Sequence, residues 1–149
     1  DLLRAGRASE ACAKLEAELV RGPSSFELLV RAARCHELTG RTKTAWARAT
    51  EASLLPGANP EAAELAARLA VRLANVRLDV FAPKPEQAVL LDGAPVPHDR
   101  FGVLIPVDAG PHVVAWTGPD GAGERRFVIQ DRGAEVVVIG GPTGPGAGS

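Results

Sequence analysis

Methionine and tyrosine are absent from this chain, and with two Trp and four Phe the aromatic residues reach only 4%. So thin an aromatic set excludes the base-stacking platforms that bind single-stranded nucleic acid. Neither sign of charge dominates. Seventeen Lys and Arg stand against 18 Asp and Glu, for a net charge of −1 and a pI of about 6.3. A phosphate-seeking basic surface is thereby excluded as the main business of the chain, and no nucleic-acid partner is expected. No apolar run approaches the roughly 18 residues of a membrane span. There is no G-x-S-x-G elbow, P-loop, G-x-G-x-x-G or H-E-x-x-H. With no Met, the chain reads as processed or cut from something longer.

What is present is an ordinary globular composition, 46% hydrophobic and 23% charged over 149 residues, enough for one domain or two small ones. Gly and Pro divide it. Only seven of the 28 fall in residues 1–79, where Ala, Leu, Glu and Arg favour helix. The other 21 fall after residue 82, among short Val-rich runs separated by turn signals. The reading is an α+β chain: a helical domain over 1–76, a small antiparallel β-sandwich over 77–139, and a Gly/Pro-rich linker tail over 140–149. No flexible linker separates the first two.

Shifted by 34 residues, the helical part overlays itself: Gly6 on Gly40, Arg7 on Arg41, Ala11 on Ala45, and Phe26 on Pro60, where another helix begins. A helix-turn-helix period of 34 is the tetratricopeptide signature. The phase predicts antiparallel helical hairpins with helices over about 8–21, 25–39, 42–55 and 60–76. Residues 1–5 read as the last turn of a truncated first helix. Asn59-Pro60-Glu61 is a good start for the last helix, with Asn59 as N-cap and Pro60 at the first helical position.

In the second part, strands are expected at Val76–Ala82, Ala88–Leu91, Val103–Val107, Val113–Thr117, Arg126–Gln130 and Glu135–Ile139. Asp92-Gly93 and the Gly118–Gly123 cluster read as turns. The segments AVLLDGAPV, LIPVDAGPHVVAW and FVIQDRGAEVVVI resemble a PEGA-type β-sandwich, with Val107-Asp108-Ala109-Gly110 near the place of the usual Pro-Glu-Gly-Ala. EACAKLEAEL and ARCHELTGRTKTAWA are similar to the paired helical repeats of myxobacterial-type envelope proteins. The combined resemblance, over 1–139, implies a periplasmic or cell-envelope location, with attachment to the wall or membrane through flanking segments.

Candidate sites are few. Cys12 and Cys35, the only cysteines, lie equally far from the predicted Pro23–Ser24 turn, so they stand level across a helix pair. They read either as a disulfide, expected in an oxidising compartment, or as two small buried thiols. Cys35-His36-Glu37 fan to different sides of one helix, so no metal is expected. Trp46 is expected to pack on the last helix, and Trp116 in the sandwich core or the seam between domains. His98 and His112 sit in a loop and on a strand, without a nucleophile nearby in sequence. Asp92, Asp108, Asp120 and Asp131 read as turn residues. Arg41, Lys43 and Arg48 form a modest basic patch, the candidate partner-binding surface, offset by Glu37 and Glu51.

These observations predict a non-catalytic protein that needs no cofactor. Its stacked helices would bind a protein or peptide. The alternative is a structural spacer of the envelope whose sandwich attaches to wall polymer or a neighbouring protein.

Overall fold

A computed structural model describes residues 2–23, 25–57, 60–119 and 121–140, with side chains from residue 6 onward. The expected N-cap Asn59, Ser24 of the first turn, Asp120 and the tail beyond residue 140 lie outside the described residues. The fold is α+β. Its contacts divide it into two compact units: Asp1–Leu73 with Val107–Ala109, and Ala74–Pro106 with Gly110–Ser149.

The helical unit holds α1 (Leu2–Arg21), α2 (Phe26–Leu38), α3 (Thr42–Ser53) and α4 (Pro60–Ala70). Local chemistry explains most of the boundaries. Ser25 caps α2 by accepting from the Leu28 N–H at 3.1 Å. Gly40, at φ +79°, ends it: the Arg41 N–H reaches the His36 carbonyl at 2.9 Å and the Gly40 N–H the Glu37 carbonyl at 3.2 Å, a Schellman closure. The repeat-equivalent Gly6 does not break the chain. α1 runs through it as one helix, correcting the expected turn after residue 5. The flanking Leu, Arg and Ala residues favour helix strongly enough to offset the ~1 kcal/mol cost of one Gly.

Arg41, the N-cap of α3, offers no side-chain acceptor. Asp108, from the Val107–Ala109 segment of the same unit, supplies one, accepting from the Thr44 N–H at 3.0 Å and the Thr44 hydroxyl at 2.7 Å. A carboxylate on the first turn also opposes the positive end of the helix dipole. Among the described residues, two clusters fill much of the core of this unit. One is Ala33, Ala45, Ala49, Leu65 and Leu69, with half-buried Trp46 and Ala66 against it. The other is Leu29, Val30, Ala52 and Ala62, with Leu19, Phe26 and Leu55 against it. Ala52 and Ala62 flank the turn between α3 and α4, while Ala45, Ala49, Leu65 and Leu69 lie farther from it, the arrangement of an antiparallel hairpin. Fully buried alanines along α3 let three helix backbones approach closely.

The expectation of helix to residue 76 is corrected. α4 ends at Ala70, and the Arg72 and Leu73 N–H groups close tight turns onto the Leu69 and Ala70 carbonyls. The unit boundary falls at Leu73/Ala74 rather than 76/77. Around Val71 the apolar period changes from 3.6 to 2, and Ala74, Val76 and Leu78 are all buried on one strand face.

The second unit carries β1 (Ala74–Val80), β2 (Ala88–Leu91), β3 (Ala94–Pro95), a 3-10 turn (His98–Arg100), β4 (Leu104–Val107), β5 (Gly110–Gly118), β6 (Gly121–Ile129) and β7 (Ala134–Ile139). They form two sheets, ordered β4-β1-β7 and β3-β2-β5-β6. The four-stranded sheet is antiparallel throughout. The other is not: β1 and β7 pair in parallel, from Asn75 opposite Ala134 to Val80 opposite Ile139, which corrects the wholly antiparallel expectation. No hairpin links these two strands; β2 through β6 lie between them in sequence, and so long a crossover permits parallel pairing. Each sheet has a buried row: Val76, Leu78, Val137 and Ile139 on one, Val89, Val114 and Ile129 on the other. Arg125 of β6 ties the sheets together, donating to the Val136 carbonyl at 3.0 Å and pairing with Glu135, both on β7.

The Gly118–Gly123 cluster is shorter as a turn than expected. Gly118 pairs with Gly121, and Gly123 sits in β6 opposite Trp116. A Cβ on Gly123 would lie 2.6 Å from Trp116 Cζ2, so the indole covers the glycine. Gly123→Val therefore displaces the ring. In a Trp46→Phe background we expect a red shift of Trp116 emission and a loss of about 1–3 kcal/mol in urea unfolding; unchanged emission would contradict the packing.

Candidate functional site

Cys12 of α1 and Cys35 of α2 are bridged, with Cα atoms 5.5 Å apart. One turn beyond Cys12 on the same helix face, Glu16 projects to the neighbouring helices. His36, beside Cys35 in sequence, is 2% exposed, and its Nε2 lies 2.9 Å from Glu16 Oε2. A carboxylate only accepts, so Nε2 carries a proton, and the buried Nδ1 has no hydrogen-bond partner. Arg48 of α3 closes the group: its Nε donates to Glu16 Oε2 at 2.8 Å and its Nη2 to Glu16 Oε1. Its remaining arm pairs with Glu51. One carboxylate thus joins three helices. The Arg48 guanidinium, and then the His36 ring, hold the Glu16 carboxyl below the usual glutamate range against the opposing effect of burial. The same pairing raises Arg48. A second carboxylate, Glu37 of α2, takes Arg68 of α4 and Arg72 just beyond it, and is lowered chiefly by Arg68.

This arrangement corrects the basic patch. Arg48 is half-buried and committed to Glu16 and Glu51, so it presents no open charge. Arg41 is exposed at the head of α3 and Lys43 is half-buried. Five positions along a helix turn about 140° around it, so Lys43 and Arg48 leave α3 on different sides. The three do not form one surface. Glu37, expected to offset Arg48, serves Arg68 and Arg72 instead. Trp46 packs against the cluster that contains Leu65 and Leu69 of α4.

In the β unit, Asp92 and Gly93 take φ +51° and +84°, the left-handed pair of a tight hairpin between β2 and β3. The Asp92 carboxylate turns back to accept from the Val113 N–H at 2.8 Å and approaches His112 Nδ1 at 2.5 Å. His112 and Asp92 line a shallow depression of about 310 Å³ with Pro111, Val113, Arg126, Phe127 and Val128. A histidine–carboxylate pair could move a proton, but no Ser, Thr or Cys lines this depression. His98 is separate: its Nε2 donates to the Gln87 carbonyl at 2.7 Å, and its ring meets Phe101. Asp92→Ala removes two hydrogen bonds and puts a Cβ-bearing residue without a polar side chain at positive φ. We expect a loss of about 1–2 kcal/mol and a shift of the His112 imidazole resonances by NMR; unchanged resonances would contradict the pair.

The three-helix ion network was not read from the sequence, although part of its signal was there. Glu16 lies one helical turn from Cys12 and His36 directly follows Cys35, so levelling the cysteines brings these two stretches of helix together. Among the described residues no group of three or more His, Cys, Asp or Glu could hold a metal ion, and no helix is long and apolar enough to cross a membrane. No family model, curated protein or solved structure matches this chain.

Proposed function

We propose that the chain is a non-catalytic scaffold of the periplasm or cell envelope, whose tetratricopeptide-like helices bind a protein or peptide and whose PEGA-like β unit is an attached module. The observation that carries this reading is the repeat geometry. α3 is packed between α2 and α4 by Ala45, Ala49 and Ala52, an arrangement suited to extended surfaces rather than enclosed pockets. Its outward rows present charge and isolated aliphatics, such as Val20, Leu38 and Leu54 at helix ends. The Cys12–Cys35 bridge supports an oxidising compartment.

The test is capture of envelope proteins by the whole chain and by two variants. Arg41→Glu should weaken the captured interaction about tenfold, or about 1.4 kcal/mol, while Val128→Lys on the exposed edge of the β unit leaves it unchanged. Retention by Arg41→Glu with loss by Val128→Lys would move the function to the β unit and favour an envelope spacer.

A further inference from the structure

We propose that α1 is a redox-released strap: reduction of the Cys12–Cys35 bond frees α1 from the helical unit while α2, α3 and α4 stay folded. The burial pattern carries this. Cys12 is the one fully buried side chain among the described side chains of α1. α2 buries Leu29, Val30, Ala32, Ala33 and His36, α3 buries four residues and α4 three. Every buried member of both helical core clusters comes from α2, α3 or α4; α1 adds only half-buried Leu19 to the rim of one. Ion pairs from Glu37 to Arg68 and from Arg34 to Glu61 join α2 to α4 without α1.

Among the described side chains, what holds α1 is therefore the cystine, the Glu16 network, and the partial burial of Leu15 and Leu19. The Glu16 network is only partly open to water, Glu16 and Arg48 each being 27% exposed, and covering His36 leaves its Nδ1 without a partner. Undocking hydrates that nitrogen and the Arg48 guanidinium, which offsets part of the ion-pair energy lost when the covalent tie is removed. The bond is approachable from one side, since Cys35 keeps partial exposure and Cys12 keeps none.

A dithiol reductant supplies the chemistry. Its thiolate forms a bond to Cys35 Sγ while the Cys12–Cys35 bond breaks, and Cys12 leaves as a thiolate that takes a proton. The second thiolate of the reductant then displaces Cys35, which is protonated in turn. The protein disulfide gains two electrons and two protons, and the dithiol becomes a disulfide.

Hydrogen exchange read by mass spectrometry on the full chain tests this, with dithiothreitol as the reductant and a Cys12→Ser/Cys35→Ser variant as the reagent-free equivalent. In both, amides of residues 8–21 should lose protection by about tenfold or more, while those of α2, α3 and α4 change by less than about twofold, and reoxidation of the wild type should restore α1. Unchanged protection of α1, or loss of protection in all four helices together, overturns the proposal.

Discussion

Reduction of the Cys12–Cys35 bond is expected to cost the docking of α1 about 3 kcal/mol, the largest effect of any single change considered. The bridge spans 23 positions, and a closed loop of that size restricts the unfolded chain by about this amount in the chain-entropy account. The melting of α1 is therefore expected to move below that of α2, α3 and α4 when the bond is reduced. The size follows from what surrounds the bond as well. The helical core contains small alanines at Ala32, Ala33, Ala45, Ala49, Ala52 and Ala62, each burying little apolar area, so a covalent tie is a large share of the total. Circular dichroism melts with and without reductant, and of Cys12→Ala/Cys35→Ala, check it. Coincident melts of the oxidised and reduced chains would contradict a stabilising role.

The second large effect centres on Glu16. Glu16→Ala leaves His36 and Arg48 without their shared acceptor, and a loss of about 2 kcal/mol is expected, at the lower end for a broken buried pair because water reaches Arg48. Glu16→Gln keeps an acceptor oxygen but no charge and should lose about 1 kcal/mol. The pH dependence has a definite sign. Glu16 is lowered in the folded state, so its contribution is present above the usual glutamate value of 4.5 and is lost as the pH falls through the lower folded value. Glu37, lowered by Arg68, adds in the same direction. Urea unfolding at pH 6 and pH 3 should therefore show wild type losing more stability on acidification than Glu16→Gln. Equal losses in the two proteins would place the Glu16 contribution outside its charge.

The candidate sites separate by the range of their causes. Cys12 and Cys35 could be placed level from sequence because an antiparallel helix pair folds about its turn and needs no distant partner to do so. Arg48 was read as part of a basic surface because its neighbours Arg41 and Lys43 are cations. Its partner Glu16 lies 32 residues upstream and meets it only when α1 and α3 come together. Asp92 was legible as a turn residue, while its bond to His112 depends on the β2–β5 register, which brings Leu91 beside Val114.

By itself the sequence determined the change from helix to strand, the ends of α2 through Ser25 and Gly40, strand β2, and the Asp92-Gly93 hairpin. Each of these rests on propensity, periodicity or turn chemistry acting over a few residues. Tertiary structure alone decided that β1 and β7 run parallel, that Arg48 turns inward to Glu16, and that Asp108 serves the first turn of α3. These outcomes depend on hydrogen-bond partners and burial supplied from tens of residues away. A local pattern permits several such partners, and only the assembled chain selects among them.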